Sequence, residues 1–135
     1  MPEFAYEIDI EVRFRDLDPL GHVNHAVYAS YCEQARIRYL REVLGLTVDD
    51  LPMVVANLEL DYRKPIMFDD DDLTVAVSVT NLGESSFKMS YELRTDEVAA
   101  TAETTQVVID SESKRPTAVP TAWREQLLDH EPALD

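Results

Sequence analysis

Hydrophobic and polar positions alternate strictly from Phe4 to Arg15. Phe4, Tyr6, Ile8, Ile10, Val12 and Phe14 fall on one face, and Glu7, Asp9, Glu11, Arg13 and Arg15 on the other. A period of two predicts a half-buried strand. The alternation stops at Asp16, and a different period begins at Ala26. From there to Leu44, Tyr28, Tyr31, Cys32, Ala35, Tyr39 and Val43 recur at three- and four-residue steps. That spacing predicts a helix with one apolar face, closed by Gly45. Asn24 or a neighbour is its expected N-cap.

Four more strand-like runs follow, over 53–64, 73–80, 87–94 and 98–110. Pro65 stops the first. Leu73, Val75, Val77 and Val79 form the inner face of the second, and Phe87, Met89, Tyr91 and Leu93 that of the third. Stretches rich in turn residues at 81–86, 95–97 and 111–116 separate them. A short helix is expected over 121–129, with Trp123, Leu127 and Leu128 inward. The expected organisation is one domain over residues 1–130, with 131–135 as a loose tail. One long helix must serve a largely antiparallel sheet, so the class is α+β. A curved sheet around that helix would bury its apolar stripe. It would also leave strand edges that need covering, which favours a homodimer.

Charge narrows the partners. Twenty-seven acids face twelve bases, for a net charge of −15. Such a chain repels nucleic acid and anionic membranes, because phosphate binding needs a basic patch. Nine arginines stand against three lysines, Lys64, Lys88 and Lys114. An acid-rich, lysine-poor surface over a normal core predicts a halophile's protein, since molar salt shortens the Debye length to about 3 Å and screens self-repulsion. No apolar run approaches the roughly 18 residues of a membrane span. Met1 to Glu11 has no apolar stretch of the kind that directs secretion. The single cysteine, Cys32, excludes an intrachain disulfide. A cytoplasmic location is expected.

The stretch DLDPLGHVNH, Asp16 to His25, concentrates the candidate chemistry at the helix start. Free backbone N–H groups and the helix dipole gather there, and both favour negative charge. A carbonyl oxygen placed there is stabilised as it becomes an oxyanion. Asp18 can sit beside the same position and attack an acyl carbon or activate a water. His25, at the helix mouth, can orient substrate or water or share a proton. Gly21 permits a turn that a side chain would obstruct. A simpler account fits the same spacing: Asp18 and Asn24 as capping residues, with Pro19 and Gly21 making the turn.

Other groupings carry less. FDDDDL, Phe68 to Leu73, lacks the glycine and distal glutamate of a calcium loop and reads as a solvated turn. His22 and His25 have no cysteine near them in sequence, so no metal site is expected. Glu33 and Arg36 are placed to pair along the helix. Cys32 lies on the apolar stripe and reads as core. There is no G-x-S-x-G, phosphate-binding loop or dinucleotide fingerprint, and no cofactor is expected.

VRFRDLDPLGHVNHAVYASYCEQAR, Val12 to Arg36, resembles the opening of the 4-hydroxybenzoyl-CoA thioesterase-like group of hotdog-fold acyl-CoA thioesterases. The shared pattern is D-x-D-x-x-G-H-V-N-H-x-x-Y-x-x-Y-x-E-x-A-R. LELDYRKPIMFDDDDL and VPTAWREQL resemble later parts of the same family, so the likeness spans nearly the whole chain. The resemblance implies a hotdog fold, a curved antiparallel five-stranded sheet wrapped around a long central helix. It implies thioester hydrolysis of an acyl-CoA, with Asp18 as the catalytic carboxylate and Asp16 as its support. Backbone N–H groups at Asn24 and His25 would polarise the thioester carbonyl, and His25 matches a catalytic histidine of one branch. Tyr28, Tyr62, Arg63 and Lys64 would contact substrate, the two bases meeting CoA phosphates. The site would lie at the interface of a dimer, which in turn can pair into a tetramer. The spacing of Asp18 and His22 is one residue short of the hydratase pattern D-x-N-P-x-H, which counts against enoyl-CoA hydration. Beside hydrolysis of an acyl-CoA stand a hotdog enoyl-CoA hydratase or dehydratase, a non-catalytic acyl-thioester binding protein using the same cleft, and an acyl-carrier-protein thioesterase sharing the chemistry.

Overall fold

The computed structural model describes residues 4–47, 52–69, 73–131 and 133–134. The elements run β1 (Tyr6–Ile10), a 3-10 turn (Phe14–Asp16), α1 (Val27–Leu44), β2 (Met53–Tyr62), β3 (Leu73–Leu82), β4 (Ser86–Arg94), β5 (Val98–Val108) and α2 (Thr121–His130). The expected order of strand, helix, four strands and helix holds. The five strands form one antiparallel sheet in the order β1-β3-β4-β5-β2. The strands that flank α1 in sequence therefore end on opposite edges, and the sheet curves around the helix between them.

The helix keeps the face that its spacing predicts. Tyr28, Tyr31, Cys32, Ala35 and Tyr39 are buried, joined by Leu40 and Leu44, while Val43 is half-buried. They pack on Val75, Val77, Phe87, Met89, Tyr91 and Leu93 from the inner sheet face. Gly45 ends the helix with φ of 70°, a left-handed conformation that glycine adopts without steric cost.

Three expectations need correction. The first strand stops at Ile10, well short of Arg15. The Asp16 carboxylate accepts the Arg13 N–H at 3.0 Å and draws the chain into the 3-10 turn, which leaves Phe14 73% exposed. Leu128 faces outward on α2, where only Leu127 is fully buried. Glu131 is buried and not part of a loose tail. Its Oε2 accepts the Val79 N–H at 2.8 Å and the Tyr39 hydroxyl, which ties the end of α2 to the sheet and to α1. The acidic run after Phe68 falls largely outside the described residues, at Asp70, Asp71 and Asp72.

β2 differs from its neighbours. It is an edge strand, and Val54, Val55 and Leu58 remain 48%, 45% and 45% exposed on it. Its last residue, Tyr62, lies opposite Ala100 of β5. Among the described residues no helix is long and apolar enough to cross a membrane.

Candidate active site

The loop between the 3-10 turn and α1 is built by its own polar groups. Asp18 N–H donates to the His22 carbonyl at 2.7 Å, and Gly21 N–H donates to the Asp18 carbonyl at 3.0 Å. Asp18 Oδ1 accepts the N–H groups of Leu20 and His22, at 2.9 and 3.2 Å. Gly21 closes the turn with φ of 84°, in the left-handed region that disfavours a side chain. Asp18 therefore caps its own turn through one oxygen, as the simpler account requires. Its Oδ2 has no hydrogen-bond partner among the described residues, so half the carboxylate remains for a ligand.

Asp16 anchors this loop. Its buried carboxylate accepts Arg13 N–H at 3.0 Å, an Arg13 guanidinium N–H at 3.1 Å and the Tyr31 hydroxyl at 2.9 Å. Burial pushes its carboxyl upward, but the hydrogen bonds from Arg13 and Tyr31 outweigh that and hold it below the ordinary value. Burial, and then Asp16 itself, raise Tyr31, which stays a neutral donor.

The helix start shows which amide is left for chemistry. The Asn24 N–H donates to the Asp16 carbonyl at 2.8 Å, so it is not the oxyanion donor expected of it. Asn24 instead makes an Asx turn just ahead of the helix, whose N-cap is Ala26: the Asn24 Oδ1 accepts Ala26 N–H at 2.9 Å and its carbonyl accepts Val27 N–H at 2.9 Å. Between these, the His25 N–H finds no acceptor among the described residues.

Asp18, His22, His25, Tyr28, Tyr62, Arg63 and Lys64 line one open cleft of about 330 Å³. Every side chain singled out from the sequence for chemistry or substrate contact meets there. The roles of the aromatic and basic residues separate. Tyr28 is buried, and its hydroxyl accepts Ile66 N–H at 3.1 Å, so it forms the floor. The Tyr62 ring packs edge-on to Tyr28, with centroids 4.9 Å apart, and the Tyr62 hydroxyl donates to the His25 carbonyl at 2.7 Å. Lys64 is already engaged: its Nζ donates to Asp96 and lies 3.6 Å from Glu97, and the Asp96 bond raises its pKa. Arg63 makes no ion pair among the described residues, so it is the base free to meet a phosphate.

Cys32 takes no part. It is fully buried, and burial pushes its thiol up to about 12, so it carries no thiolate near neutral pH.

Residues 12–127 match the model of the thioesterase-like superfamily. The chain belongs to that family. Across 98% of both chains it superimposes, with TM-score 0.87 and 40% identity, on a thioesterase from Thermus thermophilus complexed with coenzyme A and zinc. It is 30% identical to the long-chain acyl-CoA thioesterase FadM of Escherichia coli, over 90% of this chain and 96% of that one. It is 28% identical to the chloroplastic acyl-acyl carrier protein thioesterase ATL3 of Arabidopsis thaliana, over 95% of this chain and 70% of that one. The sheet order and the single long helix match the hotdog fold that the sequence pattern implies.

Proposed function

We propose that this protein hydrolyses the thioester bond of acyl-CoAs, releasing a free acid and CoA. The observation that carries the reading is the pairing of an unspent amide, His25 N–H, with an unspent carboxylate oxygen, Asp18 Oδ2, in one cleft. The amide hydrogen-bonds the thioester carbonyl and holds the negative charge that grows on its oxygen as the acyl carbon becomes tetrahedral. The carboxylate acts on the same carbon, either directly as nucleophile or by taking a proton from an attacking water. Collapse of the tetrahedral species expels the CoA thiolate. Where water attacked, this leaves the free acid; where Asp18 attacked, it leaves an acyl–Asp18 anhydride that a water then hydrolyses to the free acid. The exposed His25 imidazole assists by carrying a proton to or from the reacting groups. Arg63, exposed at the cleft rim, meets the phosphates of CoA.

The working unit is a homo-oligomer, with a second copy seated on β2. An exposed edge strand with three half-exposed apolar side chains invites pairing, and a two-fold partner would extend the sheet. β2 ends at Tyr62, in the cleft, so such a partner stands beside the site. A reducing cytoplasm suits the single buried thiol.

The likeness to ATL3 supports a second reading, in which the acyl group arrives on a carrier protein. The net charge of −15 works against it, because carrier proteins are themselves acidic. One assay addresses both. Thiol release is measured on a panel of short, long and aromatic acyl-CoAs and on acyl carrier protein esters, in dilute and in molar KCl. Release from CoA esters supports the first reading. Release from carrier esters alone selects the second. Folded protein that binds CoA esters but releases thiol from neither kind of ester refutes both.

A further inference from the structure

The peptide that joins His25 to Ala26 is gripped from both sides. On one side Asn24 Oδ1 accepts the Ala26 N–H at 2.9 Å. On the other, the Tyr62 hydroxyl donates to the His25 carbonyl at 2.7 Å. The Asn24 contact is local, two residues away, and any Asx turn before a helix supplies it. The Tyr62 contact comes from 37 residues away, off the last position of the edge strand. Tyr62 is 49% exposed, so little apolar burial holds its ring there. Its ring is instead set edge-on between Tyr28 and His25, at 4.9 and 6.4 Å. The preceding peptide carries the His25 N–H, which finds no acceptor among the described residues. The two peptides share the α-carbon of His25, so fixing one restricts the rotation that aims the other.

We propose that Tyr62 is a positioning residue, whose hydroxyl, held on the His25 carbonyl, sets the direction of the His25 N–H toward the acyl oxygen. The inference rests on the reading of the cleft as a thioester hydrolase site. Tyr62 then acts through His25 and does not bind substrate, which revises the substrate contact that family resemblance implies for it. A donor aimed in advance costs nothing to reorganise at the moment of reaction, so losing the aim lowers turnover more than binding.

The test is Tyr62→Phe, which keeps the ring and deletes only the hydroxyl at a half-exposed position. Two readouts are taken. The first is steady-state thiol release: kcat falls on the order of 10-fold and KM stays within about two-fold. The second needs no substrate: in amide-resolved NMR the His25 and Ala26 signals shift, and Ala26 N–H exchanges faster with water. Asn24→Ala is run alone and combined with Tyr62→Phe. The two grip one peptide, so the double variant loses less than the product of the single losses. A raised KM at unchanged kcat would make Tyr62 a substrate contact and overturn the proposal. Unmoved His25 and Ala26 amides would overturn it equally. If wild type releases no thiol, the hydrolase reading falls, and the amide readout still decides whether Tyr62 holds the helix start.

Discussion

Tyr31 on α1 donates its hydroxyl to the buried Asp16 carboxylate at 2.9 Å, and this bond couples the central helix to the loop that carries Asp18. Hydrogen bonds to a charged group contribute about 1.5–3 kcal/mol. Tyr31→Phe is expected to lose about 2 kcal/mol of stability, read as a lower urea midpoint. Asp16→Asn should lose at least as much, because an amide cannot replace the charge that Arg13 and Tyr31 support. The pH dependence has a definite sign. Asp16 is held below its ordinary value of 3.8, so its stabilisation is full at neutral pH and is lost as pH falls through that value and below. The gap between wild type and Asp16→Asn should therefore close in acid. An equal gap at neutral pH and at about pH 3 would show that Asp16 acts without its charge.

Asp18→Asn keeps the oxygen that accepts from Leu20 and His22, so the loop should retain its shape. The free oxygen is lost as an anion. Turnover is expected to drop by ~10²-fold or more, the scale for removing a base or nucleophile, while the thermal midpoint changes little. A variant with near-normal rates would remove Asp18 from the chemistry.

Glu131 closes the fold from the far end of the chain. Glu131→Ala strands the Tyr39 hydroxyl and the Val79 N–H in the core. The expected cost is about 3 kcal/mol, or roughly 10 °C in thermal midpoint. Glu131→Gln keeps an acceptor oxygen and should lose clearly less. Thermal scans of the two variants compare them directly, and equal losses would show that charge, not acceptor geometry, matters there.

Leu58 sits 45% exposed on the free edge strand. Leu58→Lys places a charge where a second copy is expected to seat. Sedimentation should shift from dimer toward monomer, and activity should fall with it, because β2 ends in the cleft. A variant that stays dimeric would move the interface elsewhere.

Much of this architecture was legible locally. The stripe from Tyr28 to Tyr39 is buried because a helix packed on one side of a sheet must present its apolar residues at three- and four-residue steps. The inner faces of β3 and β4 follow from period two in the same way. Phe14 broke that pattern. Alternation continues past Ile10 in the sequence, but the Asp16 carboxylate competes for the Arg13 N–H and wins. Leu127 and Leu128 could not be ranked as core or surface without the position of α2 on the sheet.

The sequence by itself determined the fold class and gathered Asp18 and His25 at the helix start as the candidates for chemistry, since each depends on neighbours within about a turn of chain. Only the tertiary structure decided how hydrogen-bonding capacity is shared out among those residues. It sets the Asn24 amide on the Asp16 carbonyl and leaves the His25 amide open. It brings Asp96 to Lys64 across 32 residues and Tyr62 to His25 across 37, and it sinks Glu131 among groups from α1 and β3. A backbone N–H given to one acceptor is not free for another, and which partner takes it depends on where the sheet and helix bring distant groups together. No local pattern of residues encodes that choice.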